Sequence, residues 1–116
     1  MQEKRKSPRV NKTLPLKLSD NESDVLTETK NISASGAYCT INKPLEIMTK
    51  LNVIILVPLK KNKNKIIRKI NCSGVVVRNV YTDDNSKYPY KVAIYFNDLK
   101  SQDKRILQSY INSFIN

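Results

Sequence analysis

Two short stretches carry the residue types and spacings that could do chemistry: Arg5-Lys6-Ser7-Pro8-Arg9 near the N-terminus and Asn31-Ile32-Ser33-Ala34-Ser35-Gly36. The first reads R-x-x-x-R. A guanidinium fork fits a phosphate and the O6/N7 edge of guanine, and it also stacks on a purine face. Pro8 removes a backbone donor and turns Ser7 away from the α region, so the segment is predicted to be an extended or turn-like arm able to aim both arginines at one small anion. The second stretch reads N-x-S-x-x-G. Asn31 and Ser33, two apart on a strand, are predicted to share a face and meet the same ligand from the other side. Gly36 permits close backbone approach or a positive φ. Each stretch also has a plainer reading. An arginine pair near a terminus is commonly a solvated basic tail, and an Asn/Ser/Gly string is commonly a turn whose side chains bond their own backbone.

Other chemistries find little support. The 116 residues include no histidine, which removes the usual general base and the commonest metal ligand, so neither an enzyme mechanism nor a metal centre is expected. Cys39 and Cys72 lie in apolar, strand-like contexts without metal spacing and are predicted to be buried, reduced thiols. Asp83-Asp84, the adjacent acidic pair, reads as a turn. The formal net charge of +11 is uneven. Lys4, Arg5, Lys6, Arg9, Lys12 and Lys17 oppose Glu3 at the start, while Lys60, Lys61, Lys63, Lys65, Arg68 and Lys69 have no acid among them. Either zone would draw in an anion by long-range steering.

The elements that must position these residues are mostly strands. Leu14, Leu16 and Leu18 alternate in a strand that Pro15 marks as an edge. Val25–Ser33 carries the N-x-S stretch at its end, and Ala37–Ile41 resumes across the Gly36 turn. Leu51–Val57 is apolar and β-branched enough for a central strand. The Lys60–Lys65 loop closes a hairpin onto a long strand, Ile66–Tyr81, in which Gly74 marks a bulge or sharp bend. After the polar 82–89 loop, Tyr90–Phe96 pairs with Val75–Arg78. Ser101 is placed to cap a helix with Asp103 in its first turn, and Ile106, Leu107, Tyr110, Ile111 and Phe114 form its apolar stripe. The expected fold is all-β: a six-stranded antiparallel barrel with a C-terminal helix plugging its open end. One domain is expected over residues 1–116, with a flexible arm at 1–12, a barrel at 13–98 and a helix at 101–115. The absence of a long apolar run or signal core leads to the expectation of a cytoplasmic protein without membrane insertion.

With their order and surrounding strands, the two motifs resemble those of the PilZ domain, the bacterial receptor module for cyclic di-GMP, over nearly the whole chain. The resemblance implies a non-enzymatic receptor or adaptor. Arg5 and Arg9 would clamp guanine and phosphate, Asn31 and Ser33 would bond a guanine edge or phosphate, and Gly36 would shape the turn. Lys4 would be a possible addition. The family's second motif often begins with aspartate. Asn31 stands there in this chain, and an amide both donates and accepts, whereas a carboxylate would hold the guanine N1/N2 donors more strongly. If Ser33 faces the ligand, its alanine variant should lose affinity but not stability. The arm is expected to order on binding and create a surface for an unidentified protein partner, the chain being a monomer or weak dimer. Two other readings are a basic nucleic-acid-binding barrel, in which tyrosines such as Tyr38 stack bases, and a PilZ-like interaction module that binds no nucleotide.

Overall fold

The computed structural model describes residues 8–82 and 85–115. Arg5, Lys4 and the Asp83-Asp84 pair lie outside the described residues. Six strands, β1 (Pro15–Ser19), β2 (Asp24–Ile32), β3 (Gly36–Ile41), β4 (Lys50–Lys61), β5 (Asn64–Tyr81) and β6 (Tyr90–Phe96), precede one helix, α1 (Ser101–Asn112). All neighbouring strands are antiparallel, and the sheet closes in the order β1-β2-β3-β6-β5-β4.

Alternation along the strands builds the interior. Leu16 and Leu18, then Leu51, Val53, Ile55 and Val57, then Ile70, Cys72 and Val76, then Val92, Ile94 and Phe96 are all buried. Leu107 and Ile111 of α1 join the same cluster, which is how the helix covers one end of the barrel. Burial pushes the Cys39 thiol up to about 12, and burial with Asp98 and Asp103 nearby does the same for Cys72. Both are free thiols.

Local chemistry fixes the turns. Asp20 Oδ1 accepts the Glu22 and Ser23 N–H groups, at 2.8 and 2.9 Å, and those bonds hold its carboxyl below the ordinary value. Asn62 and Lys63, at φ 53° and 71°, form the two-residue turn joining β4 to β5.

Several expectations are corrected. Pro15 is not on an edge strand, because β1 pairs with both β2 and β4; it stands at the strand's first position, the other place where a missing N–H is harmless. The bulge in β5 falls between Val76 and Arg78, not at Gly74. Gly74 is small because a Cβ there would come within 2.8 Å of side-chain methyls of Ile94 and Val53. Lys100, without a side-chain bond, occupies the cap position of α1, and Ser101 is already helical. The helix ends at Asn112, and Phe114 follows in a turn.

Residues 10–14 do not hang free. Val10 is buried and exchanges two backbone bonds with Ile32, at 3.0 and 2.9 Å. The Thr29 hydroxyl donates to Lys12 O and accepts the Leu14 N–H. Val10 and Lys12 are thus tied to β2, within the 1–12 stretch expected to be a flexible arm.

Candidate nucleotide-binding surface

The N-x-S-x-x-G stretch spans the end of β2, a turn and the start of β3. β2 carries a register shift between Thr29 and Asn31: Thr29 opposes Cys39, and Asn31 opposes Tyr38. Thr29 and Cys39 are fully buried. The extra residue at this bulge switches the alternation, so Asn31 and Tyr38 face outward while Ile32 turns in. The β5 bulge does the same at the far side. Val76 opposes Ile94 inside the barrel, and Arg78 opposes Ala93 on the outer face. Tyr38 also opposes Ala93. Asn31, Tyr38, Ala93 and Arg78 thus form a row across β2, β3, β6 and β5, aimed outward by two bulges.

Cations gather on the Tyr38 ring. The Arg9 guanidinium carbon lies 5.7 Å from its centroid and the Lys91 Nζ 5.3 Å, while Arg78 Nη1 donates to its hydroxyl at 3.1 Å. The ion pairs found among the described residues, Lys17–Asp24 and Arg68–Asp103, use none of these three cations. The Asn31 Oδ1 is buried and has no hydrogen-bond partner among the described residues. An amide oxygen in that position calls for an N–H donor. The surface is therefore able to hold an anion against Arg9, Arg78 and Lys91, present the Tyr38 ring to a planar base, and accept a donor at Asn31.

Ser33 is placed differently from expectation. It lies past the end of β2 and is buried, so the strand alternation that would aim it alongside Asn31 does not apply. Its Oγ accepts the N–H groups of Ser35 and Gly36, at 3.1 and 3.2 Å, and sits 3.3 Å from Gly36 O. The hydroxyl is spent on the turn. Gly36 is required by close approach and not by a positive φ, since a Cβ there would collide with the backbone carbonyl of Ile94 on β6. Of the sequence-derived residues, Arg9, Asn31 and the Ser33–Gly36 turn come together. Arg78 and Lys91 were missed. A signal for Arg78 existed: its position continues the inward parity of Cys72, Gly74 and Val76, and a charge on that parity points to a bulge. Among the described residues no group of three or more His, Cys, Asp or Glu could hold a metal ion.

A family model for the PilZ domain matches residues 3–113. The solved structures similar to this chain include the inhibitor of motility MotI/DgrA of Bacillus subtilis, at 22% identity and a TM-score of 0.82, covering 97% of this chain and 51% of that one. This chain thus spans about half the length of that protein. The PilZ domain of YcgR from Escherichia coli, in a structure with c-di-GMP, is similar at 13% identity and a TM-score of 0.63, covering 96% of this chain and 91% of that one. The PilZ domain of CeSA from a cellulose-synthesizing bacterium is similar at 17% identity and a TM-score of 0.55, covering 95% and 100%. At these identities the likeness is one of fold. No curated protein matches. The family model spans the whole of the barrel and helix, and the solved PilZ domains share their fold: this chain belongs to the PilZ domain family.

Proposed function

We propose that this chain is a non-enzymatic receptor for cyclic di-GMP, the ligand bound by the PilZ family. The observation that supports it most is the outward row on β2, β3, β6 and β5, where Asn31 Oδ1, without a hydrogen-bond partner among the described residues, stands beside a tyrosine ring already approached by Arg9 and Lys91. A guanine offers the N1–H and N2–H donors that Asn31 Oδ1 lacks, a flat face for Tyr38 or Arg9, and an O6/N7 edge for a guanidinium. The two phosphates would be neutralised by Arg9, Arg5 and the Arg78–Lys91 pair. In this role Ser33 and Gly36 hold the turn that carries Asn31, and touch ligand through the backbone if at all. Ordering of the residues before Val10 on the nucleotide would alter the surface beside β2, which a protein partner could read as the signal.

Titration calorimetry with cyclic di-GMP, cyclic di-AMP and a single-stranded oligonucleotide tests this. Selective binding of cyclic di-GMP is expected, with Arg9→Ala losing about 1–3 kcal/mol, roughly 5- to 150-fold in Kd. Arg5→Ala should act likewise. An unchanged Kd in a folded Arg9→Ala protein would end the clamp reading.

A further inference from the structure

The β4–β5 hairpin outgrows the barrel. β1 pairs with β4 over Asn52–Ile55, and β6 pairs with β5 from Gly74 onward, yet β4 and β5 stay paired as far as Lys61 opposite Asn64. Residues 56–69 therefore form a projecting two-stranded ribbon. They include Lys60, Lys61, Lys63, Lys65, Arg68 and Lys69 and no acid. Arg68 reaches Asp103 of α1 at 3.9 Å; no ion pair is found for the five lysines among the described residues. Directly opposed residues share a face. Val57 and Arg68, on the face toward the barrel interior and the first turn of α1, are buried and half-buried. The other face sets Leu56 opposite Lys69, Pro58 opposite Ile67 and Lys60 opposite Lys65. Ile67 is 62% exposed there. A groove of about 540 Å³ joins Lys60 and Lys65 to Tyr110 and Phe114 at the end of α1, and Lys12 Nζ sits 4.1 Å from the Phe114 ring centroid. Phe114 and Ile115 are close to half exposed.

We propose that this ribbon, with the end of α1, is a docking surface for an anionic lipid bilayer. Lysines and a proline on an unpaired strand also guard against edge-to-edge aggregation. That would explain Pro58 and the charge, but not the outward Ile67 among them. A nucleic-acid surface would use the lysines and leave the isoleucines and Phe114 without a role, since such interfaces are polar and strongly basic. A protein interface is commonly depleted of lysine, and a second copy of the ribbon would bring like charges together. A lipid surface asks for the two things present: a cluster of cations for the headgroups and a few exposed apolar side chains for the headgroup–acyl boundary, neither sufficient alone. The contact is adsorption. No helix among the described residues is long and apolar enough to cross a membrane. The proposal rests on residues apart from the Tyr38 surface and stands independently of nucleotide binding.

Cosedimentation with vesicles tests it. Phosphatidylcholine vesicles containing about 30 mol % phosphatidylglycerol should bind the protein at about 50 mM salt, pure phosphatidylcholine should not, and about 500 mM salt should release it. Replacing Lys60, Lys61 and Lys63 by Gln should lower partitioning on the order of 100-fold. Ile67→Ser should lower it roughly tenfold. Both variants should keep the parent's melting temperature and nucleotide affinity. No binding to the anionic vesicles at low salt overturns the proposal, as does binding that ignores the three lysines. If Ile67→Ser changes nothing while duplex DNA displaces the vesicles, the ribbon is a polyanion surface and the lipid assignment is wrong.

Discussion

Replacing Ser33 by alanine separates a turn-holding serine from a ligand-facing one. In the structure its Oγ is the acceptor for two backbone donors, the N–H groups of Ser35 and Gly36. Alanine leaves both without that partner, and Ser33 is only 1% exposed, so water cannot readily take the place of the hydroxyl. An unmet buried donor costs about 1–3 kcal/mol; Ser35 and Gly36 are half-buried, which puts each near the low end and the pair at about 2 kcal/mol. For a chain of this length, at about 4 °C per kcal/mol, the melting temperature should fall by about 8 °C. Thermal unfolding followed by circular dichroism, without nucleotide, reads this directly. A fall of less than about 2 °C would refute the turn-lock reasoning and return Ser33 to the ligand.

Three further outcomes follow from the packing. Gly36→Ala should fail to yield the native barrel, since its Cβ would meet the Ile94 carbonyl, whereas Gly74→Ala meets two side-chain methyls and should cost about 1–3 kcal/mol in denaturant unfolding. Burial pushes the Cys39 and Cys72 thiols up to about 12 in the fold from 9.0 for a free thiol, so the unfolded state loses those protons first. Stability should hold below pH 9 and decline from there toward pH 12, as pH-dependent denaturant melts would show. In hydrogen exchange the Val10 amide, bonded to Ile32 O, should be protected with and without cyclic di-GMP; gained protection should be confined to residues before it, and strong exchange at Val10 in the free protein would contradict the bridge.

Strand positions were legible in the sequence because Leu14, Leu16 and Leu18 alternate and Leu51–Val57 is a continuous apolar, β-branched run. The site was legible as residue types and not as geometry. Strict alternation sends Asn31 inward with Thr29, and Arg78 inward with Val76; only the two bulges turn them to the surface, and apart from the charge of Arg78 on an inward parity no local window marks where cross-strand register places them. Ser33 lies where the two-residue period no longer runs. It follows the last residue of β2, in a turn where the hydroxyl's nearest donors are backbone N–H groups. Tyr38 was visible as a possible stacking residue, but its neighbours Arg9, Arg78 and Lys91 come from three separate segments. Pairing of β3 with β6 and β5 with β6 brings Lys91 and Arg78 to it, and the Val10–Ile32 bridge brings Arg9.

Barrel closure also sets a timetable for folding. β4 and β5 meet across a two-residue turn, but β3 finds its second neighbour in β6, with Gly36 opposite Tyr95 roughly sixty positions later, and β1 finds β4 roughly forty positions later. Such distant pairings place folding in the slower, millisecond-to-second class. During synthesis the wait is longer still. At about 5–20 residues per second, the ribosome needs roughly three to ten seconds to make the chain between Ile41 and Phe96. Through that interval Gly36–Ile41 has an open side, and the nascent chain can close its barrel only after the last strand has emerged.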